Sequence, residues 1–310
     1  MSCLKVIVPT MNAAMDWPRF AAALLACVEP RQVLIIDSES TDGTRDAASL
    51  SGFEVCSIRR AEFNHGGTRQ LAADMLTDAE ILVYLTQDAI LSGAQSISSL
   101  VSAFNDPSIA VAYGRQLPRS GASTIEAHAR LFNYPSVSEV REIQDRPRLG
   151  FKTIFVSNSF AAYRRTALME VGGFPGDAIF GEDTITVAKL LMAGHKVAYV
   201  AEATVYHSHQ HSWAQELKRY FDIGVLHSRE RWLLEYFGGT NGEGARFVRS
   251  ELNYLLREDM LKIPDAILRT VVKYLGYRLG RMETKLSRRI KRHLSLNGKY
   301  WSKSDLALPI

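Results

Sequence analysis

The chain has 310 residues, 46% of them hydrophobic and 23% charged, with a formal net charge of +4, and its mean hydropathy is -0.07. These values describe a globular protein with material for a sizeable core, and they exclude a disordered chain, a collagen-like fibre and a disulfide scaffold. Cys3, Cys27 and Cys56 form neither an even framework nor a C-x-x-C, which points to a reducing compartment. The N-terminus lacks a secretory pattern, and no run approaches the roughly 18 apolar residues that a spanning helix needs. The charge is uneven. Between Arg269 and Ser304 eleven basic residues face one acid, Glu283, a local net of +10 that leaves -6 for the rest.

In chain order, Leu4–Pro9, Val33–Asp37, Glu54–Ile58 and Ile81–Thr86 are short Val- and Ile-rich runs bounded by turn residues, and each predicts a strand. Arg19–Val28, Thr44–Leu50 and Thr68–Leu76 lie between them as helical stretches. This alternation predicts βαβ units in a mostly parallel sheet, with ligands at the carboxyl ends of the strands. Ala110–Tyr113 adds a strand. Glu182–Ala193 reads as a helix closed by Gly194, and Lys196–Val200 and Thr204–His207 resume strand character. After Ser212 the pattern becomes long and helical: Trp213–Phe237, Gly244–Asp259 and Pro264–Leu294. Gly238, Gly239, Asn241, Gly242 and Gly244 form a Gly-rich linker.

Four clusters carry candidate chemistry. Leu34-Ile-Ile-Asp37-Ser-Glu-Ser-Thr-Asp42-Gly-Thr44 brings a carboxylate off a strand into small polar residues, which suits a nucleobase and ribose and equally suits an Asx turn with an N-cap. Phe63-Asn-His-Gly-Gly-Thr-Arg69 offers glycines for close backbone approach and an arginine within reach of a diphosphate, though it is no Walker loop. Thr86-Gln87-Asp88 ends a strand with one carboxylate, which suits a hard divalent cation beside substrate phosphates or a simple turn. The last cluster gathers Gly172-Gly-Phe174, Phe180-Gly-Glu-Asp183 and Tyr206-His-Ser-His209. Acids at a helix start also compensate its dipole. His207, His209 and His211 alternate at strand spacing, yet no fourth ligand at zinc-site spacing accompanies them.

Val6-Ile-Val-Pro-Thr-Met-Asn-Ala13, the Asp-Ser-Glu-Ser-Thr-Asp-Gly-Thr turn, the strand ending in Asp88 and the Gly-Glu-Asp183 helix start occur in the order of glycosyltransferase family 2. From about Leu4 to Ser212 the chain resembles that family. Phe63-Asn-His-Gly-Gly-Thr-Arg, Leu85-Thr-Gln-Asp-Ala and Tyr206-His-Ser-His resemble its bacterial rhamnosyltransferases that use dTDP-L-rhamnose. The resemblance implies a GT-A fold, an α/β mostly parallel sheet flanked by helices. A catalytic domain would span 1–212, with a nucleotide-sugar half to about 115 and an acceptor half beyond it. A helical extension would span 213–310.

Carried over residue by residue, the resemblance makes Asp183 the catalytic base and lines the nucleotide pocket with Pro9, Thr10, Asn12, Asp37 and Gln87. It sets Arg69 near the diphosphate and gives the metal (Mg²⁺ or Mn²⁺) to Asp88 and His207. Glu182, Gly181 and Asn158 become acceptor-side or supporting residues. The first D-x-D position is Thr86 rather than Asp, a departure from the family pattern. An inverting transfer from dTDP-β-L-rhamnose to a lipid-linked glycan would follow, in O-antigen or other cell-surface polysaccharide synthesis. A UDP-hexose or UDP-N-acetylhexosamine transferase is the alternative, as is a silent glycan-binding member. A processive synthase would need transmembrane helices and Gln-x-x-Arg-Trp, which Gln215-Glu-Leu-Lys-Arg-Tyr only approximates.

In the tail, Ile267, Val271, Leu275, Leu279, Met282, Leu286 and Ile290 form an apolar stripe beside basic residues over Pro264–Leu294. A basic amphipathic helix suits the anionic inner face of the bacterial cytoplasmic membrane. The same stripe could pack internally or join a homo-oligomer. Nucleic acid is not expected, because no recognition motif accompanies the charge.

Overall fold

A computed structural model of the chain describes residues 3–239 and 242–302. Asn241 of the linker and Lys303 and Ser304 of the basic segment lie outside the described residues. Strand β1 (Leu4–Thr10) leads through α1 (Trp17–Leu25) to β2 (Val33–Asp37), α2 (Thr44–Leu50), β3 (Glu54–Ser57), α3 (His65–Met75) and β4 (Ile81–Leu85). Then follow β5 (Ile90–Leu91), α4 (Ser96–Ser102), β6 (Ile109–Leu117), α5 (Thr124–Asn133), β7 (Glu139–Arg141), α6 (Arg146–Leu149), β8 (Phe160–Arg164), α7 (Arg165–Glu170), α8 (Glu182–Met192) and β9 (Lys196–Tyr206). The remainder is helical: α9 (Trp213–Arg229), α10 (Arg231–Phe237), α11 (Glu243–Glu258), α12 (Ile263–Arg281) and α13 (Arg288–Leu294).

Among the described residues the nine strands form one sheet in the order β3-β2-β1-β4-β8-β6-β9-β5, with β7 also on β9. Strands β3, β2, β1 and β4 are parallel, whereas β8 runs antiparallel between β4 and β6. Every residue of β2 and β4 is buried, as parallel strands covered on both faces require. The chain winds outward from β1 to β3 and then returns to place β4 on the other side of β1. That reversal opens a crevice at the carboxyl ends of β1 and β4, where α/β sheets receive ligands. Where two strand segments were expected after Gly194, β9 runs continuously from Lys196 to Tyr206. Its pairing steps from Gly114–Val200 to Arg115–Thr204, so a bulge absorbs the residues that interrupt the pattern.

The contacts divide the chain into two compact units. One comprises Met1–Ala122, Ala129–Asp177 and Glu182–Ser208; the other comprises Ser123–His128, Ala178–Gly181 and His209–Ile310. The second unit thus takes in two short pieces from before residue 212. In the first unit the core includes Val6, Val8, Phe20, Leu24, Val83, Ile97, Leu100, Phe160 and Val205.

In the second unit two expected helices are each broken. Trp213–Phe237 divides at Glu230. Pro264–Leu294 divides after Arg281, because Glu283 is buried in a 3-10 turn where Arg229 (3.1 Å) and Lys291 (2.5 Å) donate to its carboxylate. Ser287 then caps α13 by accepting from the Ile290 amide. Helices α9 and α12 cross with their backbones almost touching. A Cβ at Gly276 would stand 2.3 Å from the Leu217 carbonyl oxygen, and one at Gly280 2.1 Å from that of Phe221. Glycine is therefore required on this face. Leu279 and Leu286 of the expected stripe pack against the cluster of Ile179, Phe221, Val225 and Trp301.

Candidate active site

The crevice at the switch point is organised by a short polar loop after each strand. Asp37, at the end of β2, is fully buried; its carboxylate accepts from Thr10 Oγ1 (3.3 Å), Ser40 N (2.9 Å) and Ser40 Oγ (2.5 Å). Asn12 sits at φ 52°, a left-handed conformation that asparagine tolerates better than most residues. Its amide donates to Ser40 Oγ, and its side-chain oxygen accepts from Thr41 N, both at 2.9 Å. Gln87 ties the loop after β4 to the one after β1, accepting from Met11 N at 2.7 Å and donating to Met11 O at 3.1 Å. Pro9, Thr10, Asn12, Asp37 and Gln87 therefore come together as one scaffold. The Asx turn of this segment is made by Asp42, whose Oδ1 accepts from Thr44 N at 3.1 Å, while Asp37 reaches one residue further, to Ser40 N.

The glycines of the second cluster serve packing. A Cβ on Gly66 would stand 1.8 Å from the Pro175 carbonyl oxygen and 3.3 Å from Glu182 Cβ, so Gly66 lets α3 approach the head of α8. Asn64 caps α3 by accepting from Gly67 N at 2.6 Å. One turn on, Arg69 is 5% exposed and donates to Glu182 Oε1 at 2.7 Å and to the His65 carbonyl at 3.1 Å. The guanidinium expected near a diphosphate donates here to Glu182, and its Nε has no partner among the described residues. Asn158, also buried, donates to Glu182 Oε1 at 3.2 Å while its own carbonyl accepts from Tyr163 OH at 2.8 Å. Tyr84, Tyr163 and Phe174 pack edge to face beneath this network.

The two acids are driven apart. Burial alone would raise Glu182, but Arg69 and His65, with the Asn158 amide, outweigh it and hold that carboxyl below its ordinary range. Asp183, partly exposed, accepts from Thr184 N at 2.8 Å and from Asn158 N at 3.4 Å. Burial, followed by the neighbouring Glu182 charge, pushes it up to about 7. A carboxylate of that proton affinity is matched to base catalysis near neutral pH. Gly181, at φ 74°, turns the chain into α8 just before the pair.

Asp88 and His207 meet at 3.5 Å between Oδ2 and Nε2. His207 is 4% exposed, and its Nδ1 lies 2.8 Å from Gln116 Oε1, while Gln116 Nε2 donates to Ser157 at 3.0 Å. That amide orientation makes Nδ1 the protonated nitrogen and turns the Nε2 lone pair toward Asp88. Burial lowers the pKa of His207 against the pull of Asp88, with Arg130 and Arg119 adding to the decrease. A neutral imidazole lone pair beside a carboxylate oxygen is a donor set for a divalent cation, and Gln116 is the partner that fixes its tautomer. Thr86 adds no carboxylate, and its hydroxyl is buried without a partner among the described residues. Arg119 donates to the Asp88 carbonyl. Sequence reasoning passed over Arg119 and Arg130, although Arg119 lies two residues past the end of β6. His207, His209 and His211 would point to one side of any strand they shared, but β9 ends at Tyr206.

A nucleotide-binding type of sheet with a raised carboxylate and a separate Asp–His pair defines a group-transfer enzyme of the GT-A kind. The model for glycosyl transferase family 2 matches residues 5–172, and the chain belongs to that family and is a glycosyltransferase. Among curated proteins it is 45% identical over 301 residues, 96% of both chains, to O-antigen chain rhamnosyltransferase RfbN of Salmonella typhimurium strain LT2. It is 43% identical over 306 residues, 97% of this chain and 96% of the other, to O-antigen chain rhamnosyltransferase WbaN of Salmonella anatum. Among solved structures, mannosyltransferase PcManGT from Pyrobaculum calidifontis, in complex with GDP-Man and Mn²⁺, aligns with TM-score 0.58 at 18% identity, covering 97% of this chain and 88% of that one. The UDP complex of S. aureus TarS 1-349 aligns with TM-score 0.53 at 13% identity, over 92% and 91%.

Proposed function

We propose that the protein transfers L-rhamnose from dTDP-β-L-rhamnose to a lipid-linked glycan acceptor in O-antigen or related polysaccharide synthesis, with inversion to an α-rhamnoside. Two O-antigen rhamnosyltransferases aligned along nearly the whole chain support the sugar and the pathway class. The observation that carries the chemistry is Asp183, a carboxylate held near neutral proton affinity at the head of α8. In this reading the acceptor oxygen attacks the anomeric carbon, its proton passes to Asp183, and the bond to the diphosphate breaks on the opposite face. A single base opposite the leaving group gives in-line displacement, hence inversion.

Asp88 and His207 would hold Mg²⁺ or Mn²⁺, which when bound stabilises the charge growing on the diphosphate. Arg119 and Arg130 add positive charge around the same pair. Arg69 acts as a positioning residue: it neutralises Glu182 and sets the position of the acidic pair, a role distinct from the diphosphate contact that the family resemblance implies. Pro9, Thr10, Asn12, Asp37 and Gln87 order the loops that receive the nucleotide. The enzyme works at the inner face of the cytoplasmic membrane, where a lipid-linked acceptor resides. A donor panel of dTDP-rhamnose, UDP-glucose and UDP-N-acetylglucosamine, scored by hydrolysis and thermal shift, tests the donor. Preference for a UDP-sugar would replace rhamnose, and no hydrolysis of any donor would leave a glycan-binding protein.

A further inference from the structure

Helix α12 has two faces of opposite character. The inner one carries Gly276 and Gly280, consumed by the close crossing with α9, and Ala266, which packs with Leu255 and Ile125. At 100° per residue the outer face gathers Ile267, Leu268, Val271, Tyr274, Leu275, Arg278 and Met282 within an arc of about 120°. Nothing among the described residues covers it: Tyr274 is 58% exposed, Ile267 52% and Leu275 49%. Leu261, just ahead of the helix, is 91% exposed. Six large apolar side chains on one arc exceed the scatter of single exposed residues that a surface normally shows.

From Met260 onward the exposed unpaired charge along this segment has one sign. Between Met260 and Ser302 the only acids are Asp265 and Glu283. Asp265 accepts from Arg269 and Trp213, while Glu283 is buried between Arg229 and Lys291. Lys262, Arg278, Arg281, Lys285, Arg289 and Arg292 stand exposed along the same segment. Arg278 lies against the Tyr274 ring and donates to its hydroxyl at 3.3 Å, a pairing with an apolar body and a polar tip that suits a lipid–water boundary. A twofold contact between copies of this face would bring the exposed basic residues of both copies together, and the two acids of the segment, Asp265 and Glu283, are already paired within each copy.

We infer that the outer face of α12 is the surface that seats this enzyme on an anionic bilayer. Its apolar arc enters the headgroup boundary while the flanking arginines and lysines meet lipid phosphates. The inference deepens the reading of a membrane-borne acceptor and rests on it for its purpose.

Full-length protein is sedimented with phosphatidylcholine vesicles with and without phosphatidylglycerol, in the absence of donor and acceptor. Wild type should pellet with the anionic vesicles only. The exposed pair Val271→Glu/Leu275→Glu should lower the partition by at least about ten-fold. Arg278→Glu should lower it by about five-fold or more, since one basic residue near the surface contributes roughly that factor. Should the double variant misfold by circular dichroism, the single charge reversal keeps the test. Equal pelleting of wild type and variants overturns the proposal. So does a wild type that stays in solution and forms a dimer, lost in the double variant by sedimentation velocity, which assigns the face to a second copy. A wrong donor assignment would show in the donor panel and leave this assay unchanged.

Discussion

Asp183 and Glu182 are adjacent acids whose proton affinities are driven apart, and the division is made by what lies beside each. Arg69 and Asn158 hold Glu182 in its charged form, and that charge in turn helps to raise Asp183. Asp183→Asn keeps the shape but cannot take the acceptor proton. Turnover should therefore fall roughly 100-fold or more with donor affinity within a few-fold, read as separate kcat and donor Kd. The acid limb of the wild-type kcat/KM profile should lie near pH 7, because the group must be deprotonated to act as base. A limb in the ordinary carboxylate range would remove Asp183 from that role. Asp88→Ala should abolish metal-dependent donor binding, followed by calorimetry with and without Mn²⁺. Wild-type transfer that is indifferent to excess EDTA would leave the diphosphate charge to Arg119 and Arg130.

Among the elements, the α9–α12 crossing makes the sharpest claim. Gly280→Ala would ordinarily stabilise a helix by up to about 1 kcal/mol. Here the added methyl stands 2.1 Å from the Phe221 carbonyl oxygen, so the helices must separate, at about 1–3 kcal/mol. Tm should drop, whereas Gly244→Ala, with open space around its Cβ, should leave Tm level or higher. Equal melting of the two variants would contradict the crossing. The strands and helices of the first hundred residues were legible because alternation and turn residues act locally; β2 and α2 match their expected ranges. The break after Arg281 was not legible, since it depends on Arg229 reaching Glu283 from far along the chain. Arg69 illustrates the same limit. Its partner Glu182 lies 113 residues away, so this contact was not legible from the glycine cluster around Arg69. The signal for the crossing was present as Gly276-x-x-x-Gly280, but attention to the apolar stripe hid it.

At the scale of the whole molecule, buried acids and buried histidines oppose one another in their effect on stability. Burial raises Asp183 to about 7 and Asp222 to about 6, and also raises Glu251. Burial lowers His227 to about 4, and lowers His128 and His207 as well. The raised acids stabilise the fold below the ordinary carboxylate pKa, and that contribution is lost as pH climbs through the folded value. The lowered histidines act in the opposite sense: their contribution is complete above about pH 6.5 and is lost as pH falls toward the folded value. Each uncompensated proton tilts stability by about 1.4 kcal/mol per pH unit, so Asp222 and His227 nearly cancel between pH 4 and 6. Wild-type Tm should fall below that interval, where the depressed carboxyls Glu182 and Glu283 take up protons. Asp222→Asn removes one side of the balance while leaving an acceptor for the Leu296 amide, now 3.0 Å from the carboxylate. Its Tm relative to wild type should rise with pH from 4 to 6, because a contribution that favours low pH has been removed. A variant whose profile stays parallel to wild type would show that Asp222 does not hold its proton in the folded state.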